Sequence, residues 1–274
     1  MRTQTLLNFQ GATLPVWVEG QGSPVALLHA GVADSSSWDD LVPLIVRDGY
    51  RAIRYDARNY GASTTEAVDY SPRDDLWAVL DAVGVQRVAL IGNSRGGSTA
   101  IDAAVERPDR VVALVLIGTG LNGFDAVATP AETAAFDRMD DAFRNGRFLD
   151  AVEEKVRLWV DGIGQPPTRV RGHVRDHVRE MLLPHAEVEE LIAHLVPLDP
   201  PASVRLGSIS APTLIVTGEY DTLMIHQIES ELANGIPGAK ATKVPDAAHM
   251  VAMEHPAKVA DLVLAHLALL GEWN

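Results

Sequence analysis

The run "RVALIGNSRGGSTA", residues 87–100, decides how this chain reads. "RVALIGN" (87–93) is near-continuously apolar, as suits a parallel strand buried on both faces. "STAIDAAVERP" (98–108) has apolar residues at helical spacing. Between them Gly92-Asn93-Ser94-Arg95-Gly96 fits G-x-S-x-G, in the strand–turn–helix setting that gives the pattern a mechanism. A serine there would sit in a strained backbone conformation, with strand and helix so close that a Cβ on either flank has no room. Glycines at 92 and 96 supply that room, and Gly97 eases packing of the helix start. The turn would present Ser94 Oγ at the carboxyl end of the sheet, where open α/β sheets bind ligands. The backbone N–H of Arg95 would face a developing oxyanion.

Outward from this turn, "PVALLHA" (24–30), "YRAIRYDA" (50–57) and "VVALVLIGT" (111–119) are further buried-strand runs. They alternate with "SWDDLVPLIVRDG" (37–49) and "YSPRDDLWAVLDAVG" (70–84), which have helical spacing. In the second, Ser71 caps and Pro72 suits the first turn. Repeated β-α-β units imply an α/β fold, a mostly parallel twisted sheet with helices on both faces. From about 121 to 205 strands are expected to stop and Pro- and Gly-separated helices to take over. "APTLIVTGEYD" (211–221) and "AKATKVPDAAH" (239–249) then resume the sheet, and "HPAKVADLVLAHLALLG" closes it with an amphipathic helix. The reading is a core domain of 1–121 plus 206–274, interrupted by a helical insertion at 122–205. The N-terminal "MRTQTLLNFQGATLPVWVEG" reads as two strands around a "QGA" turn, without the apolar core of a signal peptide.

Composition narrows the function. The 274 residues carry a formal charge of −14, which argues against nucleic acid and against an anionic membrane surface as partners. There is no cysteine, so thiolate catalysis, disulfides and cysteine metal sites are excluded, and a cytoplasmic location is expected. No apolar run reaches the roughly 18 residues of a membrane span. No metal or cofactor is implied, and a homodimer is among the oligomeric states open to the chain.

A serine hydroxyl needs a base. Of nine histidines, His185, His194, His226 and His266 lie in helical patterns, and His255 precedes Pro256 at a helix start. His173 and His177 are four apart, but no Glu follows the first, so a solvated helix face is preferred to a zinc motif. His29, at a strand end, organises its loop. His249 follows the last predicted strand at the sheet edge expected for Ser94, and is taken as the base. The carboxylate that orients it belongs after the preceding strand. Asp221, three residues past Gly218, is favoured over Glu219, with Asp125 a weaker substitute and Asp246 a loop stabiliser. The chain order Ser94, Asp221, His249 is that of the α/β-hydrolase triad. The second oxyanion donor is expected from "LLHAGVADSSSW" (27–38), as the N–H of Gly31 or Val32. Trp38 is expected to pack beneath that loop, and Val32, Leu121, Trp159, Met224 and Met250 are candidate pocket-wall residues.

These pieces together resemble the α/β-hydrolase superfamily over nearly the whole chain. "LLHAG" resembles its His-Gly oxyanion segment with Ala30 in place of Gly, and "IRYDARNYGAS" (53–63) its Y-D-x-R-G-x-G-x-S stretch with Asn59 in place of Gly. "GNSRGG" resembles the elbow, with Arg95 where an apolar residue is common, and "LIVTGEYD" and "AAHMVAMEHP" resemble the acid and histidine segments. The layout is most similar to the 3-oxoadipate enol-lactonase-like and small carboxylesterase branch, which implies a helical cap near 122–205. It also implies a serine hydrolase acting on a small-molecule ester or lactone through an acyl-enzyme. Serine at the elbow argues against the dehalogenases and epoxide hydrolases of this fold, which use Asp. A carbon–carbon bond hydrolase with the same three residues is the alternative, and a non-catalytic ligand-binding protein of this fold a further one. The Arg95 side chain is expected to point away from the site, the other reading being that it attracts an anionic substrate.

Overall fold

A computed structural model describes residues 2–187 and 193–273. The chain opens with β1 (Arg2–Phe9), β2 (Ala12–Glu19) and β3 (Pro24–Leu28). Next come α1 (Val42–Arg47), β4 (Arg51–Tyr55), β5 (Thr64–Thr65) and β6 (Asp69–Tyr70). Then follow α2 (Pro72–Ala82), β7 (Val88–Asn93), α3 (Arg95–Glu106) and β8 (Val111–Ile117). The middle holds α4 (Pro130–Arg144), α5 (Phe148–Val156), α6 (Gly172–Leu182) and β9 (His194–Leu195). The chain ends with β10 (Thr213–Gly218), α7 (Leu223–Gly235), β11 (Lys240–Val244), α8 (Val251–Glu254) and α9 (Pro256–Leu267).

The main sheet runs β1-β2-β4-β3-β7-β8-β10-β11, with β5 paired to β2. From β4 to β11 every pairing is parallel, while β1 and β2 form an antiparallel margin. The parallel strands β3, β7, β8 and β10 are buried along their whole length, which explains their unbroken apolar sequence. One face of the sheet carries a core that includes Leu76, Leu80, Ile101 and Leu232, the other a core that includes Trp38, Ile45, Val259 and Val263. Helices thus cover both faces.

Two expectations about the middle of the chain need correction. Strands do not stop between 121 and 205: His194–Leu195 pairs in parallel with Asp69–Tyr70 in a separate two-stranded sheet, so His194 is not helical. A pairing two residues long has no periodicity for a sequence to display. Nor is His177 merely solvated. His173 is exposed, but His177 is half-buried with Nε2 2.9 Å from Ser36 Oγ in the loop after β3.

The segment between β8 and β10 packs over the carboxyl end of the sheet through a third apolar cluster. Val152, Val156 and Val160, with Val174 and Val178 of α6, meet Ala30 and Ala33 after β3 and Met250 and Met253 near α8. Burying a Val or Met contributes about 1.5–3 kcal/mol, against about 0–1 kcal/mol for an exposed ion pair. These contacts, rather than the many surface Arg–carboxylate pairs of α4 and α5, therefore hold the segment down. Among the described residues no helix is long and apolar enough to cross a membrane.

Candidate active site

Ser94 stands at the junction of β7 and α3 with φ +53°, outside the comfortable range of an L-residue. The geometry around it accounts for the glycines. A Cβ on Gly92 would lie 2.5 Å from Gly97 N, and one on Gly96 would lie 2.1 Å from the Leu28 carbonyl oxygen. Neither gap admits a methyl group, so strand, helix and the neighbouring β3 approach as closely as backbone allows. The elbow is further tied down by Ser94 N–H donating to Ile117 O at 3.0 Å.

On the adjoining strand ends, Asp221 follows β10 and His249 follows β11. His249 Nδ1 lies 2.9 and 3.0 Å from the two carboxylate oxygens of Asp221, with both residues buried. A buried carboxylate holding one ring nitrogen fixes the tautomer that leaves Nε2 as the acceptor. Glu219 instead accepts from Asp246 N–H at 3.1 Å, and Asp125 is exposed after β8. Asp246 sits in its loop at φ +53°, with its carboxylate 3.8 Å from Arg169. Among the described residues Ser94 Oγ makes no hydrogen bond to His249, although the two segments are linked directly. Asn93 Nδ2 donates to Ile117 O at 2.9 Å and to the His249 carbonyl at 3.4 Å. Gly118, at φ +47°, lets the end of β8 pass beneath the pair, since a Cβ there would lie 3.0 Å from both Asp221 Oδ2 and His249 Nδ1. Sequence reading missed both residues. Asn93 lay in plain sight at a variable position of the motif, whereas Gly118 carried no signal beyond ending an apolar run.

The loop after β3 lies against the first turn of α3. A Cβ on Gly31 would sit 3.9 Å from Arg95 Cβ and Cδ, so the segments bearing the two candidate oxyanion N–H groups are adjacent. His29 shapes this loop: Nδ1 lies 2.8 Å from Ala30 O and Nε2 accepts from Ala57 N–H at 3.0 Å. Burial, aided by the nearby Arg95 cation, lowers its pKa to about 3, so it stays neutral and is unsuited to be the base. Trp38 is buried in the core below.

The candidate wall residues separate. Trp159 lies with its ring centroid 4.5 Å from that of His249, at 44°, and Met250 is buried in the cluster beneath the 122–205 segment, with Val32 packed against it. Leu121 is instead part of the core on one face of the sheet, and Met224 is half-buried in the first turn of α7. The Arg95 guanidinium stacks over Tyr60 at 4.6 Å, and its Nε is buried without a hydrogen-bond partner among the described residues. It therefore runs alongside the loop after β3, toward Tyr60. No cluster of three or more metal-ligating side chains occurs among the described residues.

A parallel sheet, a serine at positive φ between strand and helix, and an Asp–His pair from the next strand ends define the architecture of the α/β hydrolases. The chain belongs to the alpha/beta hydrolase fold family, whose model matches residues 23–160. It is 28% identical over 283 residues to the 2-hydroxy-6-oxononadienedioate/2-hydroxy-6-oxononatrienedioate hydrolase of Escherichia coli (strain K12), covering 97% of this chain and 96% of that one. A hydrolase from Pseudomonas aeruginosa PA01 superposes with TM-score 0.75 at 26% identity, covering 96% of this chain and 98% of that one. A thermophilic esterase from Thermogutta terrifontis shares the fold with TM-score 0.77 at 22% identity, covering 98% and 99%.

Proposed function

We propose that the protein is a serine hydrolase in which Ser94 attacks a substrate carbonyl and His249 Nε2 takes its proton. Asp221 holds the imidazole and stabilises the imidazolium that forms. The developing oxyanion lies between the N–H groups of Arg95 and Gly31, with Val32 N–H the neighbouring donor. His249 then protonates the leaving group and activates water to release the acyl group from Ser94. The reaction is hydrolysis of an ester or lactone, and the 122–205 segment serves as a cap that closes the site and, through Trp159, Val32 and Met250, lines it. The observation that carries this reading is the strained Ser94 elbow beside the buried Asp221–His249 pair.

A second reading is carbon–carbon bond hydrolysis with the same three residues. It is favoured by the substrate printed in the name of the full-length relative, a hydroxylated oxo-dioate with two carboxylates and a ketone but no ester. The Arg95 guanidinium beside the oxyanion loop suits an anionic substrate in either case. A panel of neutral esters, lactones, carboxylate-bearing esters and vinylogous diketone acids separates the readings. Preference for esters or lactones supports the first, and turnover of the diketone acids alone supports the second. Inertness toward all of them, with no labelling of Ser94 by a fluorophosphonate, would leave a ligand-binding protein of this fold.

A further inference from the structure

Arg169 lies in the insertion, yet its guanidinium reaches the two loops that carry Asp221 and His249. Its side chain is 7% exposed. Nη2 donates to Val160 O at 2.7 Å and Nε to Asp161 O at 2.9 Å, gripping the end of a π-helical turn, Arg157–Asp161. That turn carries Trp159, whose ring rests on His249 and is backed by Phe136 of α4 at 6.0 Å. On its other side Nη1 donates to Asp246 O at 2.7 Å, three residues before His249. The guanidinium also faces the ring of Tyr220, the residue before Asp221, at 5.4 Å. Finally Nη2 pairs at 2.7 Å with Glu254, whose side chain is 3% exposed and whose oxygens accept the Ala248 N–H at 3.0 and 3.2 Å.

A planar fork with five donors can serve carbonyls and a carboxylate in several directions at once, which a lysine ammonium on its flexible stem cannot. A buried ion pair adds little net stability, but removing one partner strands the other's charge. The pair therefore has two favourable arrangements, fully assembled or opened to water, and few between. We infer that Arg169 is a positioning residue that makes docking of the insertion and assembly of the His249–Asp221 base a single event. The inference rests on the reading of Ser94, Asp221 and His249 as the reacting set. With the insertion docked, Arg169 braces both loops and sets Trp159 against the imidazole, limiting its rotation and excluding water from one face. With the insertion displaced, the same carbonyls and Glu254 lose their partner, and the base loosens with them.

The test compares wild type with Arg169→Lys, Arg169→Met, Glu254→Gln and Trp159→Phe. It uses the rate of fluorophosphonate labelling at Ser94 across pH, kcat and KM on the best ester of the panel, and the thermal midpoint. The charged and titratable groups facing Arg169 and Glu254 are Asp161, Tyr220, Asp246 and His255, with Asp221 on His249 itself. Arg169→Lys keeps the charge and is expected to fold. It should still lower kcat and the labelling rate about tenfold or more, with little change in KM, and move the midpoint of the pH profile by about half a unit or more. Glu254→Gln should move the profile less, and Leu149→Ser, an exposed position of α5, should change nothing. Wild-type labelling rate and pH profile in Arg169→Lys would overturn the inference while leaving the site reading intact. Absence of labelling at Ser94 in the wild type would remove the site reading itself. Should Arg169→Met fail to fold, the lysine and Glu254→Gln variants carry the test.

Discussion

The two halves of the candidate site are built by different means. The Ser94 half is set by backbone: two glycines without room for a Cβ, a strained serine, and close backbone approaches of β3 and the end of β8 to the elbow. The His249 half is set by side chains from distant segments, with Asp221, Asn93, Trp159 and Arg169 converging on one short loop. Backbone steric limits make the first half rigid and restrict which residues can occupy it. Side-chain networks make the second half adjustable, and Trp159 and Arg169 of the segment between β8 and β10 reach it directly.

Four predictions bear on this contrast. The largest effect should come from the side-chain half: Asp221→Asn removes the charge opposite His249 and permits the wrong tautomer. The expected loss in kcat is roughly 10⁴-fold, with folding intact. A loss below tenfold would mean that another carboxylate orients the base. In the backbone half, Gly96→Ala drives a methyl into the Leu28 carbonyl and should cost about 3 kcal/mol, seen as a lower thermal midpoint and lost activity together. Unchanged stability would show that the approach is looser than described.

His29 bridges the oxyanion loop to the 56–63 segment and offers a third probe. Its folded pKa, lowered to about 3 from 6.5, means that the unfolded chain binds a proton that the folded chain refuses. Its contribution to stability is therefore present above pH 6.5 and is lost as pH falls toward 3. The stability advantage of wild type over His29→Asn should accordingly shrink by about 2 kcal/mol between neutral pH and pH 5 in urea titrations. A pH-independent difference would contradict a neutral buried imidazole. The smallest effect is expected from Arg95→Met, which leaves the backbone N–H in place. KM for carboxylate-bearing substrates should rise about tenfold while neutral esters change little. Equal effects on both would assign the side chain to packing alone.

This division also explains what could be read without coordinates. The elbow was legible because its sterics dictate residue type, and the parallel strands because burial on both faces leaves no polar positions. Asp221 and His249 followed from their places after successive strands. Trp159 could be named as a wall residue, but its contact with His249 depends on a π turn and an insertion docked from far along the chain. Arg169 and Asp246 are 77 residues apart, and nothing in either segment announces the other. The β6–β9 pairing and the His177–Ser36 contact were illegible for related reasons, one being too short for periodicity and the other joining remote surfaces.

The central claim is that the strained serine of the elbow is a nucleophile activated by His249. Mass spectrometry of the protein after treatment with a fluorophosphonate tests it directly. A single adduct on the peptide bearing Ser94, formed rapidly in the wild type, absent in Ser94→Ala and greatly slowed in His249→Ala, is the predicted result. An unlabelled Ser94 in folded wild-type protein, or ester turnover that survives Ser94→Ala, would contradict it.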